Sequence, residues 1–201
     1  MPTNLLWQRC ADGYTVVKNK NDSCFYVASK SVQMEGYHPI ETHSAILRIL
    51  SEKKDRHGYI EFADVFGLLT HETEPEPLAT FESFSNKLRI MMRLYDHGDL
   101  VEVARHYNEL NFGQIGLRLE TSSSPPKLRH TVDHLLQAMW VQFGEMIVHG
   151  EGQEQCVLCN EWFAVGPTTN RRRKRFNAKR SFCCDAHAKR FEYINRKTRE
   201  R

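Results

Sequence analysis

Long apolar runs are missing from this chain of 201 residues. No stretch approaches the roughly 20 consecutive apolar residues of a membrane-spanning helix, and the mean hydropathy is -0.57. The opening, Met1-Pro-Thr-Asn-Leu-Leu-Trp7, has neither the basic start nor the apolar core of a secretory signal. Both absences lead us to expect a reducing cytoplasm and no membrane partner. Catalytic signatures are equally scarce. There is no Gly-rich phosphate loop, no G-x-S-x-G elbow and no H-E-x-x-H pair, so an enzyme is not expected. No internal repeat is present. What remains is an ordinary globular mixture, 40% apolar and 26% charged, long enough for one domain and a small accessory module.

Cysteine is what the chain does have. Six are present, and in a reducing compartment clustered cysteines more often bind metal than form disulfides. Cys156 and Cys159 form a C-x-x-C pair, Cys183 follows after 23 intervening residues, and His187 after three more. Thiolates and imidazoles suit a tetrahedral zinc ion, and a C-x-x-C turn presents two sulfurs to one centre. A Cys and a His four positions apart share one face of a helix, so its first turn can supply the other two ligands. The expected cofactor is therefore one Zn2+ held by Cys156, Cys159, Cys183 and His187. Four protein ligands leave no open position for a reactive water, which makes the ion structural. Cys184 is the alternative to Cys183, although adjacent helical side chains point about 100 degrees apart and only one of the two should face the metal. Knuckle, hairpin and helix together read as a treble-clef finger, too small to bury a useful core without its ion. Trp162 and Phe163 are expected to pack over the site.

Other candidates carry less. Cys10 and Cys24 could make a second metal pair if a hairpin joined them, but such cysteines are more often small buried residues. His130 and His134, four apart on an expected helix, lack a third ligand and read as polar helix-face residues. His38, His43 and His57 are scattered.

The net charge of +3 hides an asymmetry. From Arg171 to Arg201 there are 13 basic against 3 acidic residues, a local charge of +10; the preceding residues carry 15 basic and 22 acidic groups, or -7. A basic tail on an acidic body suggests a surface that meets a polyanion. The candidate nucleic-acid contacts are Arg171, Arg172, Arg173, Lys174, Arg175, Lys179 and Arg180 in the loop of the finger. Lys189, Arg190, Arg196 and Lys197 join them on its helix, exposed while Phe191 and Ile194 pack inward. Nothing distinguishes DNA from RNA or marks base-reading residues. The competing reading is a zinc-stabilised interaction scaffold, whose acidic helical body binds a protein partner or a second copy.

The rest of the chain reads as α+β and mainly helical. Tyr14–Val17 and Cys24–Val27 are β-favouring runs around a turn-rich Lys18–Ser23, which predicts a hairpin. Pro39 and Glu41 open a helix carrying Ile46, Leu47, Ile49 and Leu50, and Asp55-Arg-His-Gly58 breaks it. A short amphipathic helix with Phe62, Val65 and Phe66 follows, then a polar linker from His71 to Pro77. A longer helix through Phe81, Leu88 and Met92 pauses at Asp96–Asp99, where Asp99 can cap another reaching Leu110. Ile115, Leu117 and Leu119 alternate as in a strand. Lys127 to His149 has the broadest apolar helical face in the chain, ended by Gly150. The expected layout is a mixed N-terminal domain over 1–126, a long helix packing on it over 127–150, and the finger over 151–201.

Several of these stretches resemble a widespread bacterial family whose members have a helical N-terminal region and a C-terminal zinc finger. The carriers are Leu135-Leu-Gln-Ala-Met-Trp-Val-Gln-Phe143, Cys156-Val-Leu-Cys-Asn-Glu-Trp-Phe-Ala-Val-Gly-Pro167 and Ser181-Phe-Cys-Cys-Asp-Ala-His187, with Tyr37-His-Pro-Ile40 and Phe62–Leu69 upstream. The finger is similar to the CGNR type found on bacterial transcription regulators, which implies a treble-clef-like fold, structural zinc and DNA binding. Two departures stand out. His187 occupies the usual fourth cysteine position, and Cys184 occupies a usual serine position, which agrees with its being a bystander.

Overall fold

The computed structural model describes residues 5–19, 24–39, 45–110, 115–120, 127–165 and 181–199. It divides into two compact units, Met1–Glu145 and Met146–Arg201. Among the described residues the chain is mixed, with six helices and four small antiparallel sheets, in agreement with a mainly helical α+β fold.

The first unit begins with two interleaved strand pairs. β1 (Trp7–Cys10) pairs with β4 (Met34–Tyr37), Trp7 opposite Tyr37. Between them, β2 (Tyr14–Lys18) and β3 (Phe25–Ser29) form the expected hairpin with Val16 opposite Val27. Trp7, Cys10, Tyr14 and Val27 are the buried residues of these strands.

Four helices complete the core. In α1 (Ile46–Glu52) nearly the whole turn Ile46-Leu47-Arg48 is buried, the Arg48 guanidinium meeting both oxygens of Asp96 at 2.8 and 2.6 Å. Pro39 is helical; Glu41 lies outside the described residues. Asp55–Gly58, expected only to break this helix, starts the next one. The Asp55 carboxylate accepts from the Gly58 amide at 2.9 Å and caps α2 (Arg56–Phe66). Gly67 ends α2 at φ +77°, where a Cβ would stand 2.8 Å from the Gln8 carbonyl; only glycine fits that close approach. α3 (Leu78–Asp96) buries Phe81, Leu88, Met91 and Met92. Asp99 caps α4 (Leu100–Glu109) through the Glu102 amide, as expected.

The polar linker from His71 to Pro77 contains a surprise. Glu76 lies in β5 (Glu76–Pro77), a two-residue strand beside β3, and is fully buried. Its carboxylate accepts from the Leu69 amide and the Thr70 hydroxyl, each at 2.6 Å. The sequence reads this segment as a polar linker, and a charged residue is seldom buried; here the loop donors of Leu69 and Thr70 supply partners that water would otherwise provide.

The long helix expected from Lys127 starts later. β6 (Gly116–Glu120) pairs with β7 (Lys127–Thr131), so the first residues of that span supply the partner that a half-buried strand needs. Helical periodicity over Leu128 and Val132 could not reveal this, since Leu128, His130 and Val132 also alternate with period two. α5 (Leu135–Val148) begins after a reciprocal cap. His134 Nδ1 accepts from the Gln137 amide at 3.2 Å, and the Gln137 side chain accepts from the Asp133 amide at 2.7 Å. Leu135, Leu136, Met139 and Phe143 are buried on this helix, and Trp140 stacks on Tyr107 at 4.6 Å. Gly150, at φ +61°, closes it: its amide reaches the Ile147 carbonyl and the Glu151 amide the Met146 carbonyl.

Candidate metal centre

In the second unit β8 (Gly152–Gln155) and β9 (Trp162–Val165) pair antiparallel, Gln155 opposite Trp162. The strand ahead of the knuckle is unexpected from the sequence, where Gly152-Gln-Glu-Gln155 carries no apolar alternation. The C-x-x-C turn is the loop of this hairpin. The Asn160 amide bonds to the Cys156 carbonyl at 2.8 Å and the Cys156 amide to the Glu161 carbonyl at 2.9 Å. Asn160 takes φ +58°, a left-handed conformation that asparagine tolerates better than other side chains.

The other half of the site is tied to this loop by backbone. The Val157 amide donates to the Ser181 carbonyl at 3.0 Å, and the Ser181 hydroxyl donates to the Glu154 carboxylate. α6 (Asp185–Arg199) follows at once. The Cys184 carbonyl accepts from the Ala188 amide, so Cys184 is the capping residue, Cys183 stands just before the helix, and His187 lies in its first turn.

Cys156, Cys159, Cys183 and His187 converge, with one ligand atom from each lying within 4.8 Å of all the others. Cys159 Sγ and Cys183 Sγ are 3.8 Å apart, and His187 Nδ1 is 3.1 Å from Cys183 Sγ and 3.7 Å from Cys156 Sγ. This is the ligand set read from the spacing, and it could hold one metal ion. Cys184 is exposed and outside the group, although its sulfur is 4.0 Å from that of Cys183.

The electrostatics of the cluster favour a cation. Burial pushes all three thiols up. At Cys156 the amides of Cys159, Cys183 and Leu158, with His187, outweigh it and bring the thiol down to about 6. At Cys183 burial is joined by the neighbouring sulfurs of Cys156 and Cys159, and the thiol is held far above its usual range. Cys159 is raised by burial and by the Cys156 sulfur, against the Glu161 amide and Cys183, which lower it. Three thiols gathered in one place cannot all ionise unless a positive charge sits among them.

A small apolar shell surrounds the cluster: Cys156, Phe163 and Phe182 are buried, and Leu158, Val165, Ala188 and Phe191 pack against them. Phe182 and Phe191 rings lie 5.3 Å apart. Phe163 thus packs at the site as expected. Trp162 does not; strand alternation sends it to the other face, where it is half-buried.

The remaining candidates divide. Arg171, Arg172, Arg173, Lys174, Arg175, Lys179 and Arg180 lie outside the described residues, as does the hairpin expected after the knuckle. Lys189, Arg190, Arg196 and Lys197 are exposed on α6, as expected. Ile194 is a correction: expected to pack inward, it is 45% exposed, because α6 runs on beyond the apolar shell. Sequence reasoning passed over Tyr193, 57% exposed on the same helix; its signal was an aromatic surrounded by basic residues at helical spacing.

His130 and His134 are not a helical pair, since His130 lies on β7 and His134 caps α5. Cys10 is buried against Ser31, whereas Cys24 is exposed at the far end of the β2–β3 hairpin, so no second metal pair forms. His38 bonds to the Leu5 carbonyl and His57 lies 3.2 Å from Glu61; His43 is outside the described residues.

No family model, curated protein or solved structure matches this chain. Among the described residues no helix is long and apolar enough to cross a membrane.

Proposed function

We propose that the protein is a bacterial nucleic-acid-binding regulator whose C-terminal module is a zinc finger of the treble-clef kind, with zinc as a structural ion. Zinc fits the donor set. Metal–sulfur bonds of about 2.3 Å in a tetrahedron give sulfur–sulfur edges of about 3.8 Å and sulfur–nitrogen edges of about 3.5 Å. The observed separations of 3.8 and 3.7 Å match, and the 3.1 Å Cys183–His187 approach is slightly shorter. Three thiolates and an imidazole select zinc over hard cations such as magnesium or calcium. Because the protein fills all four positions, the ion organises the fold and does not act on a substrate.

The single observation that carries the nucleic-acid reading is the joining of this site to a basic helix. His187 is one of the four converging donors, and Lys189, Arg190, Arg196 and Lys197 follow it on the same helix with exposed side chains. A closed site at the start of a helix that carries these four cations suits phosphate contacts. The test is titration of labelled DNA with the full-length, zinc-loaded chain at rising salt. We expect affinity to fall roughly 100-fold or more between about 50 and about 200 mM salt. Replacing Arg172, Arg173 and Lys174 by glutamine should weaken binding and flatten that dependence while zinc content stays unchanged. Absence of binding at micromolar protein, or affinity indifferent to salt, overturns the proposal. Recovery of a protein partner that survives high salt would favour an interaction scaffold instead.

A further inference from the structure

Tyr193 has an unusual setting. On a helix the nearest neighbours of a side chain are those three and four positions away, and for Tyr193 all four of these are basic: Lys189, Arg190, Arg196 and Lys197. All five side chains are exposed, and the Lys197 ammonium lies over the Tyr193 ring, 5.0 Å from its centre. The opposite side of the helix is the one committed to the metal site, where His187 is a ligand and Ala188 and Phe191 pack on the apolar shell. Counting about 100 degrees per residue, Tyr193 points almost directly away from that side. The metal thus sets the rotation of α6 and turns one aromatic ring outward in a ring of cations.

Neither half of this arrangement is explained by folding. Four like charges on one face repel each other and weaken the isolated helix. A tyrosine 57% exposed contributes little of the burial that makes aromatic residues useful in a core. Phosphate contact alone would need only the cations. A ring among cations matches a ligand that alternates planar apolar groups with anions, and in a duplex the planar faces are hidden by stacking.

We propose that this face of α6 binds single-stranded nucleic acid, with Tyr193 stacking on an unpaired base and Lys189, Arg190, Arg196 and Lys197 contacting the flanking phosphates. The proposal rests on the nucleic-acid reading above and narrows its ligand to unpaired strands. Base stacking on an exposed aromatic is tolerant of sequence, so this surface discriminates strandedness and not sequence.

The experiment compares oligo-dT, oligo-U and a mixed-sequence duplex, each about 20 nucleotides long, binding to the full-length zinc-loaded chain at one fixed salt concentration. Both single strands should bind more tightly than the duplex, and the ratio of dT to U reads out any preference for DNA or RNA. Tyr193→Ala should weaken single-strand binding roughly tenfold or more and duplex binding less than twofold. Tyr193→Phe, which keeps the ring, should bind single strands like the wild type. Zinc content and far-ultraviolet circular dichroism of both variants verify the fold. Equal loss on single strands and duplex, or no loss at all, overturns the stacking role. Binding to duplex with none to single strands removes this inference alone; absence of binding to all three removes the broader reading with it.

Discussion

Residues 1–145 bury Trp7, Tyr14, Tyr59, Phe62, Phe66, Phe81 and Phe143 almost completely, whereas among the described residues of 146–201 the apolar cluster has Cys156, Phe163 and Phe182 as its buried members. A fully buried phenylalanine contributes about 1.5–3 kcal/mol, and ordering each residue's backbone costs about 1–2 kcal/mol. The first unit can fold on apolar burial, because its aromatic side chains contact one another across helices. Among its described residues the second has two buried aromatics, so a further source of stability would count for more there. Four candidate metal ligands converge there from a knuckle and a helix start, and an ion held by them would supply the missing term. The two units therefore show two routes to a defined fold within one chain, and each route should fail under a different perturbation.

Removing the ion should have the largest effect. Structural zinc in small modules is worth on the order of 10 kcal/mol of folding free energy. A chelator, Cys159→Ser or His187→Ala should therefore unfold the second unit while the first keeps its cooperative transition. Metal content should fall from one ion per chain toward none, and circular dichroism should lose the contribution of α6. Cys184→Ser should retain the ion. Metal content unaffected by either ligand substitution would remove the basis of the contrast.

The complementary test breaks the first unit. Phe62 is buried against Phe66, with ring centres 4.8 Å apart, and also meets Phe81. Phe62→Ala should cost about 3–5 kcal/mol through lost burial and a residual cavity, read from urea unfolding. Zinc content should not change. A parallel loss of zinc would mean that the two units do not fold by separate means.

A smaller effect sharpens the comparison through pH. Burial raises the Glu76 carboxyl above its ordinary 4.5, although the Thr70 hydroxyl and the Leu69 and Thr70 amides act in the opposite direction. The folded chain then holds this proton more tightly than the unfolded chain. The resulting stability is fully present below the unfolded value and is lost as pH rises through the higher folded one. Glu76→Gln keeps one acceptor for the loop donors but cannot titrate. It should cost about 1–2 kcal/mol at low pH and remove this component from a urea-midpoint series run from about pH 4 to about pH 8. An unchanged pH profile would show that Glu76 holds its proton equally in the folded and unfolded chain.

Much of this was legible in the chain. The C-x-x-C pair and the Cys183–His187 spacing identified all four ligands, because a metal site needs specific donor types and few other constraints use them. Asp99 and Gly150 marked helix ends through chemistry local to the backbone. The hairpin of Tyr14–Lys18 and Phe25–Ser29 was visible for the same reason: β-favouring runs flank a turn. Three features were hidden. Lys127–Thr131 satisfies both a helical and a strand period, and pairing with Gly116–Glu120 decides between them. Glu76 looks like a linker residue until the donors of Leu69 and Thr70 surround it. Ile194 has the right spacing for the inward face, but the apolar shell ends before the helix does.

The sequence by itself determined the donor set, the charge asymmetry and the mixed, mainly helical character, because these follow from residue type and short-range spacing. Only the tertiary structure decided where the long helix begins, that Ile194 stays exposed and which way Tyr193 faces. Those outcomes depend on contacts between distant segments: the Ser181 carbonyl with the Val157 amide, one strand with another, and His187 with the three thiols. Local propensity leaves each of them open, and the global packing that closes them is a property of the folded chain alone.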